Sequence, residues 1–286
     1  MASRDDPTLT DAEEAFERGD VETALAICEG LLGENEAAAP VEVLYLAAEC
    51  LLEVQEAREA QHLVDLALSQ APGDPVLLHA RGLCLFELCK LDAARSCFEQ
   101  AVAGDDDLGE PRFYLGILAE HAGDSDAAAR LFEEAVERDP ENLVLPRTWT
   151  QQEVAEVFDA IIDELPDPLG IWFARLSLAY EQLPAAELLA NDDDPISPLV
   201  LCLFRGDRPQ HSESDGPDEW LQAQPERCSI FLRNLGKSAQ DEYELHYELV
   251  EALLWEFMGF LDLDTTDMAA LGLPTEVDDV DLGPGS

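Results

Sequence analysis

The stretch from Phe113 to Asn142, FYLGILAEHAGDSDAAARLFEEAVERDPEN, decides how the first half of this chain is read. It places small residues at Gly116, Ala119, Gly123, Ala128 and Ala135, a large ring at Phe132 and a proline at Pro140. The same places are filled again 34 residues upstream. Ala128 follows Ala94 and Ala60, and Ala135 follows Ala101 and Ala67. Gly116 follows Gly82, and Phe132 follows Phe98. Pro72 and Pro140 stand two periods apart, with Asp106 between them. A further copy fits upstream at Ala24 and Leu31, offset by two extra residues. A 34-residue period with small residues at fixed places predicts paired antiparallel helices. The small side chains let two helices approach closely, and the large ones plug the gap to the next repeat. Four copies fill residues 7–142, and about three are needed to bury a continuous core.

This pattern resembles the tetratricopeptide repeat family over residues 7–142, most specifically in the last three copies. The resemblance implies an all-α tetratricopeptide solenoid in which the first helix of each repeat lines a concave groove for peptides or partner proteins. It places Tyr45, Glu49, His79, Leu83, Phe86, Phe113, Ile117 and His121 in that groove. The set is aromatic, apolar and acidic. It has no Lys or Arg, so it lacks the carboxylate clamp by which some members of the family hold acidic chaperone tails. The expected partner is a protein or peptide of apolar or basic character. For each residue the alternative is packing against the array's own flanks or the second half of the chain.

LVLPRTW at 143–149 breaks the period and reads as a linker. Thr150-Gln-Gln-Glu153 is a capping box that opens a helix ending before Pro166. Strand formers dominate IWFARLSLAY at 171–180, PLVLCLFRG at 198–206 and CSIFLRNL at 228–235. Between the last two, GDRPQHSESDGPDEW has the composition of a long surface loop. A final helix is expected over 239–261. Residues 150–275 therefore read as a small α+β domain. Residues 1–6 and the acidic tail 276–286 read as disordered.

Inside the last helix, LLWEFMGFLDLD at 253–264 has the spacing of a zinc-peptidase helix. There, a His, a Glu one residue later and a second His at i+4 share a face. From Phe158 to Leu273 the chain resembles the small zincin-like metallopeptidases of bacteria. FDAIIDELP resembles their opening helix, LAYEQLPAAELL a strand and acidic-Pro turn, and SPLVLCLFRG their Leu-Gly-Leu-Phe-x-Gly strand. SIFLRNLGKSAQDEYELHYELVEALLWEFMGFLDLDTTDMAALGL resembles their next strand, the active-site helix and its following loop. The resemblance implies a Glu general base at Glu256 and zinc-binding His residues where Trp255 and Gly259 stand. An indole offers only an N–H donor and glycine offers no side chain, whereas zinc needs imidazole, thiolate or carboxylate lone pairs. Without zinc, the pKa of the water beside Glu256 is not lowered toward neutrality. No metal, no cofactor and no catalytic residue are therefore expected, and the domain reads as a pseudo-metallopeptidase.

Two further expectations follow. Trp255 fills the volume of the lost metal pocket, with Gly259 kept small. A partner strand adds to the edge near Ser229–Arg233. The alternative function is an active metal-dependent peptidase using non-standard ligands.

Other motifs carry less. The aspartates of DLDTTD, Asp262, Asp264 and Asp267, lack the Gly turn and distal Glu of a calcium loop. Gly236-Lys237-Ser238 lacks the first glycine of a phosphate loop, since Phe231 stands there. Ser212 and Ser214 have no G-x-S-x-G frame. His246 has no second His nearby and reads as a packing or surface residue.

Net charge is −47, with 16 Lys and Arg against 63 Asp and Glu. Binding to nucleic acid or an anionic membrane needs clustered cations, so neither is an expected partner. The seven cysteines form no C-x-x-C pair and read as free thiols of a reducing cytoplasm. No run of 18 apolar residues and no leader occurs, so a soluble cytoplasmic protein is expected. One hypothesis for such Lys-poor acidity is a host with a salty interior. It predicts a melting temperature that climbs from low to molar KCl, and a flat profile would count against it.

Overall fold

Four helical hairpins fill residues 9–138 of the computed structural model, which describes residues 7–33, 35–189, 195–209 and 220–270. They are α1 (Leu9–Glu17) with α2 (Val21–Leu32), α3 (Val41–Glu53) with α4 (Ala57–Gln70), α5 (Pro75–Glu87) with α6 (Leu91–Gly104), and α7 (Glu110–His121) with α8 (Ser125–Arg138). Side chains start several of them. Thr8 and Asp11 form a capping box, Asp20 caps α2, Asp74 precedes Pro75 at the first position of α5, and Asp124 caps α8.

The turn inside each hairpin is the same device four times. Gly19, Gln55, Cys89 and Gly123 have φ of 78°, 63°, 54° and 79°, all left-handed. The residue after each donates to the carbonyl five positions back. Asp20 bonds to Ala15, Glu56 to Leu51, Lys90 to Leu85 and Asp124 to Ala119, at 2.8–3.0 Å. This Schellman geometry satisfies carbonyls that the ending helix would otherwise leave unpaired. At Gln55 and Cys89 a side chain bears the left-handed penalty of ~1–2 kcal/mol.

Packing between the helices of a hairpin is also repeated, with compensating sizes. Ala12 and Cys28, Ala48 and Val64, Gly82 and Phe98, and Gly116 and Phe132 occupy equivalent places, and all are buried. A Cβ on Gly82 would stand 2.4 Å from the Phe98 ring, and one on Gly116 would stand 2.8 Å from Phe132. Where the facing residue is a phenyl ring, the opposite position has no side chain. Where it is Val or Cys, Ala fits.

The second unit is built from α9 (Gln151–Glu164), α10 (Leu169–Phe173), β1 (Leu178–Glu181), β2 (Cys202–Arg205), β3 (Arg227–Phe231), α12 (Leu232–Ser238), α13 (Glu242–Leu261) and α14 (Thr265–Ala270). A short helix, α11 (Ala186–Leu189), falls between β1 and β2 in the chain. The Thr150–Glu153 capping box forms as expected. The sheet order is β1-β3-β2, with β1 parallel and β2 antiparallel to β3. Helix α13 packs on α9 and β2. Trp172, Phe173, Phe204, Phe257 and Phe260 form the aromatic centre, with ring centroids 4.8–6.5 Å apart.

Two strand expectations are corrected here. The run IWF at 171–173 lies in α10, because Leu169, Trp172 and Phe173 are all buried, a helical rather than alternating pattern. The run at 228–235 is strand only to Phe231 and then turns into α12. The β3 strand is moreover the central one, hydrogen-bonded on both sides, so the strand near Ser229–Arg233 offers no free edge for a partner.

The chain divides into two compact units. One gathers the residues up to Leu145 with Ala186–Pro198; the other gathers Pro146–Ala185 with the residues from Leu199 onward. Residues 186–198 lie within the stretch that the sequence assigns to the α+β half. Residues 146–149, at the end of LVLPRTW, are built into the second unit. Trp149 is buried, and its Nε1–H donates to the Ala239 carbonyl at 3.2 Å. The Arg147 guanidinium lies 3.7 Å above the Trp149 ring centre. Residues 1–6, the tail 276–286 and residues 210–219 of the long loop lie outside the described residues. Among the described residues, no helix is long and apolar enough to cross a membrane. All seven cysteines are free and only Cys89 is not buried.

Candidate functional site

On α3, α5 and α7 a four-residue step keeps side chains on one face, and a 34-residue step carries that face from hairpin to hairpin. The stripe runs Tyr45, Glu49, Glu53 on α3, then His79, Leu83, Glu87 on α5, then Phe113, Ile117, His121 on α7. Seven of the eight groove residues expected from the sequence lie on it. Phe86 is one residue out of step and fully buried, with its ring meeting the edge of Tyr114 at 5.2 Å. Ile117 is fully buried too, so neither side chain has surface to offer a ligand. Tyr45, Glu49, Leu83, Phe113 and His121 are half-buried.

The stripe is acidic and partly desolvated. The Tyr45 hydroxyl donates to Glu49 Oε1 at 2.6 Å. Burial raises the Glu49 carboxyl despite that bond, and Glu110 and Glu53 raise it further. Burial likewise raises Glu87, against a lowering hydrogen bond from Ser197. Glu110 is raised by desolvation and then by Asp139. His79 is 8% exposed. Its Nδ1 lies 3.6 Å from Glu110 Oε2, and its Nε2 has no hydrogen-bond partner among the described residues. Burial drives its pKa down to about 4, so the imidazole is neutral at pH 7. Tyr114 closes the cluster, stacked on Phe98 at 5.3 Å and 6.1 Å from His79. Glu53, Glu87, Glu110 and Tyr114 stand outside the eight residues expected from the sequence, although Glu53 and Glu87 are the next four-residue step from Glu49 and Leu83.

In the second unit the three relic positions do not converge. Trp255 is 61% exposed, and a Cβ on Gly259 would meet nothing within 4 Å. The expectation that Trp255 fills a vacated pocket is therefore overturned. Leu253, Leu254 and Phe257 supply the buried face of α13, which leaves residues 255 and 259 on the opposite side. Glu256 points inward. Its Oε2 accepts the backbone N–H of Phe204 at 2.6 Å, an amide on edge strand β2. Burial raises its carboxyl, partly offset by that hydrogen bond and by Arg208. Among the described residues, no group of three or more His, Cys, Asp or Glu side chains is placed to hold a metal ion. Asp262 takes the left-handed C-cap of α13, and Asp264 accepts the Asp267 N–H at 2.8 Å, so these aspartates serve helix ends.

Glu256 thus acts as a clip on β2, with a signed pH consequence. A carboxyl raised on folding costs stability when ionised, and the cost disappears as pH falls to the unfolded value. Glu256→Gln keeps an acceptor for Phe204 and removes the charge. It is expected to raise the melting temperature at pH 7.5, with the gain vanishing toward pH 4. Glu256→Ala orphans the amide and is expected to cost ~1–3 kcal/mol. Thermal melts of the three proteins across pH check this.

Residues 15–84 match the tetratricopeptide repeat family. The match runs from the end of α1 into α5, and the same hairpin geometry continues through α8. Similar solved structures include MamA (41-end) from Desulfovibrio magneticus RS-1, 18% identical, covering 47% of this chain and 75% of that one at a TM-score of 0.41. TTC0263, a thermophilic TPR protein of Thermus thermophilus, is 21% identical over 47% of this chain and 73% of its own, with a TM-score of 0.41. YrrB, described as a TPR protein with an unusual peptide-binding site, is 21% identical over 54% of this chain and 73% of its own, with a TM-score of 0.38. No curated protein matches the sequence. The zincin-like resemblance of residues 158–273 has no support among these comparisons.

Proposed function

We propose that this protein is a non-enzymatic interaction scaffold whose repeat groove takes an extended peptide of apolar or basic character. In the same reading, residues 150–275 are a zincin-like fold that has lost its chemistry. The observation that carries the groove reading is the cluster of carboxylates around Tyr45, His79 and Tyr114, in which Glu49 and Glu87 are half-buried and the more exposed Glu110 faces His79. None of the stripe residues is Lys or Arg. A carboxyl raised by desolvation has unused capacity for a cation, and a Lys or Arg entering the groove would favour its ionised form. Aromatic and aliphatic neighbours would take the apolar part of the same ligand. The pseudo-peptidase part rests on α13 lying against antiparallel edge strand β2, with Glu256 retained and both helix imidazoles replaced.

The test is fluorescence polarisation with labelled peptides alternating an aromatic or aliphatic residue with either Lys/Arg or Asp/Glu. The full chain is expected to bind the basic series. Glu49→Gln with Glu110→Gln should weaken it about tenfold, and affinity should fall as pH drops through the raised carboxyls. Equal binding of the acidic series would overturn the groove reading. Casein cleavage dependent on added zinc and abolished by Glu256→Gln would favour the peptidase alternative instead.

A further inference from the structure

The groove stripe ends on α5 at Glu87, and there the repeats meet a piece of their own chain. Ala186–Pro198 groups with the hairpins although β1 precedes it and β2 follows it. The Cys89 thiol, in the left-handed turn after α5, donates to the Ile196 carbonyl at 2.8 Å. The Ser197 hydroxyl hydrogen-bonds to the Glu87 carboxylate. Pro198 is buried, and Pro195, Ile196 and Ser197 are half-buried. A proline at each end restricts the segment, and the residue before Pro198 is biased to extended backbone. What the hairpins touch here is a main-chain carbonyl and a hydroxyl, and the proline that follows the hydroxyl is buried. Any extended segment with an aliphatic residue followed by Ser-Pro or Thr-Pro carries the same groups.

We propose that Pro195–Pro198 is a resident pseudo-ligand of the repeat groove, and that an outside partner presents an extended aliphatic-Ser/Thr-Pro segment that must displace it. This rests on the groove being the binding site and narrows its ligand. A tethered segment acts at an effective concentration of roughly millimolar. An outside peptide therefore sees its affinity reduced by the fraction of open groove. The hydroxyl faces a carboxylate, so a phosphate on that serine or threonine is rejected by like charge. Cys89 reports the exchange. It is the one cysteine not buried, and burial followed by Glu87 pushes its thiol up to about 11. Release of the segment exposes the thiol and raises its thiolate fraction.

The experiment compares the full wild-type chain with Ser197→Asp, which sets a charge against Glu87, and with the milder Ser197→Ala. Far-UV circular dichroism confirms the fold of each. The probes are a fluorescein-labelled Pro-Ile-Ser-Pro-Leu peptide, its phosphoserine form, and iodoacetamide with mass mapping of Cys89. Ser197→Asp is expected to bind the unmodified peptide at least tenfold more tightly than wild type and to alkylate Cys89 at least fivefold faster. Ser197→Ala should fall between, and the phosphopeptide should bind none of them. Unchanged affinity and unchanged alkylation in Ser197→Asp would overturn the proposal. Faster alkylation without peptide binding would also overturn it, by making the segment a staple and not a ligand mimic. In either case, continued binding of basic peptides dependent on Glu49 and Glu110 would leave the groove function standing.

Discussion

Gly236→Ala is expected to cost about 3 kcal/mol or more, at or beyond the upper end of overpacking substitutions. A Cβ at residue 236 would stand 1.8 Å from the Arg147 carbonyl oxygen and 2.9 Å from its carbon. Both are backbone atoms, so no side-chain rotation relieves the overlap. The approach is close because the Gly236 carbonyl accepts the Arg147 N–H at 2.7 Å. Two more bonds tie the same strip of chain to α12 and its exit, from the Arg147 guanidinium to Gln240 at 2.7 Å and from Trp149 to Ala239. Moving residues 146–149 outward strains all three and withdraws Trp149 from the core. All four tryptophans lie between residues 149 and 255, so their fluorescence reports this unit. A fall in the fluorescence-monitored midpoint of roughly 6–12 °C is expected, at ~2–4 °C per kcal/mol for a chain of this order. Gly259→Ala is the control. That position is open and helical, so Ala should stabilise by up to ~1 kcal/mol. A loss there would restore a packing reason for glycine in the zinc-peptidase register, and an unshifted Gly236→Ala would remove the clamp at 147–149.

Some of this architecture is legible in the sequence because its physics is periodic. Close helix approach demands small residues at the same place in each hairpin, and the chain repeats them at 34-residue steps. The left-handed turn is less visible, since Gln55 and Cys89 occupy it as well as Gly19 and Gly123. Backbone geometry there overrides residue preference. The misread strand at 171–173 is a short apolar run, which periodicity alone cannot assign. Register against a peptidase helix fixes the sequence spacing of Trp255 but not which face of α13 meets the core. The groove expected from the sequence stops one step short on α3 and α5, so it includes Glu49 but passes over Glu53 and Glu87, although the same four-residue step reaches them. The docking of residues 195–198 on the repeats leaves no trace in the sequence, where Ser197 and Pro198 read as the start of a strand. The partner of Ile196, Cys89, lies 107 residues away, and nothing in Pro-Ile-Ser-Pro has a period to read.

The size compensation between hairpins makes the sharpest quantitative demand. Gly82→Ala drives a methyl to 2.4 Å from the Phe98 ring and is expected to cost ~1–3 kcal/mol, a helix-propensity gain of ~1 kcal/mol included. Phe98→Val empties part of a buried site. It should cost roughly 2–3 kcal/mol, less than the 3–5 typical of Phe→Ala, and it also removes the ring stacked on Tyr114. Together the two changes recreate the Ala48 and Val64 pair that the preceding hairpin already uses. In the double variant the clash has no partner, the alanine methyl occupies part of the vacated volume, and the propensity gain remains. Its loss should therefore fall short of the sum of the single losses by ~1–2 kcal/mol, within the range for residues in contact. Urea unfolding followed by far-UV circular dichroism measures all four corners of the cycle. Additivity within ~0.5 kcal/mol would mean that the matched sizes at these positions are coincidence. Coupling of the expected size would show that each hairpin closes on one shared volume, divided differently between its two helices.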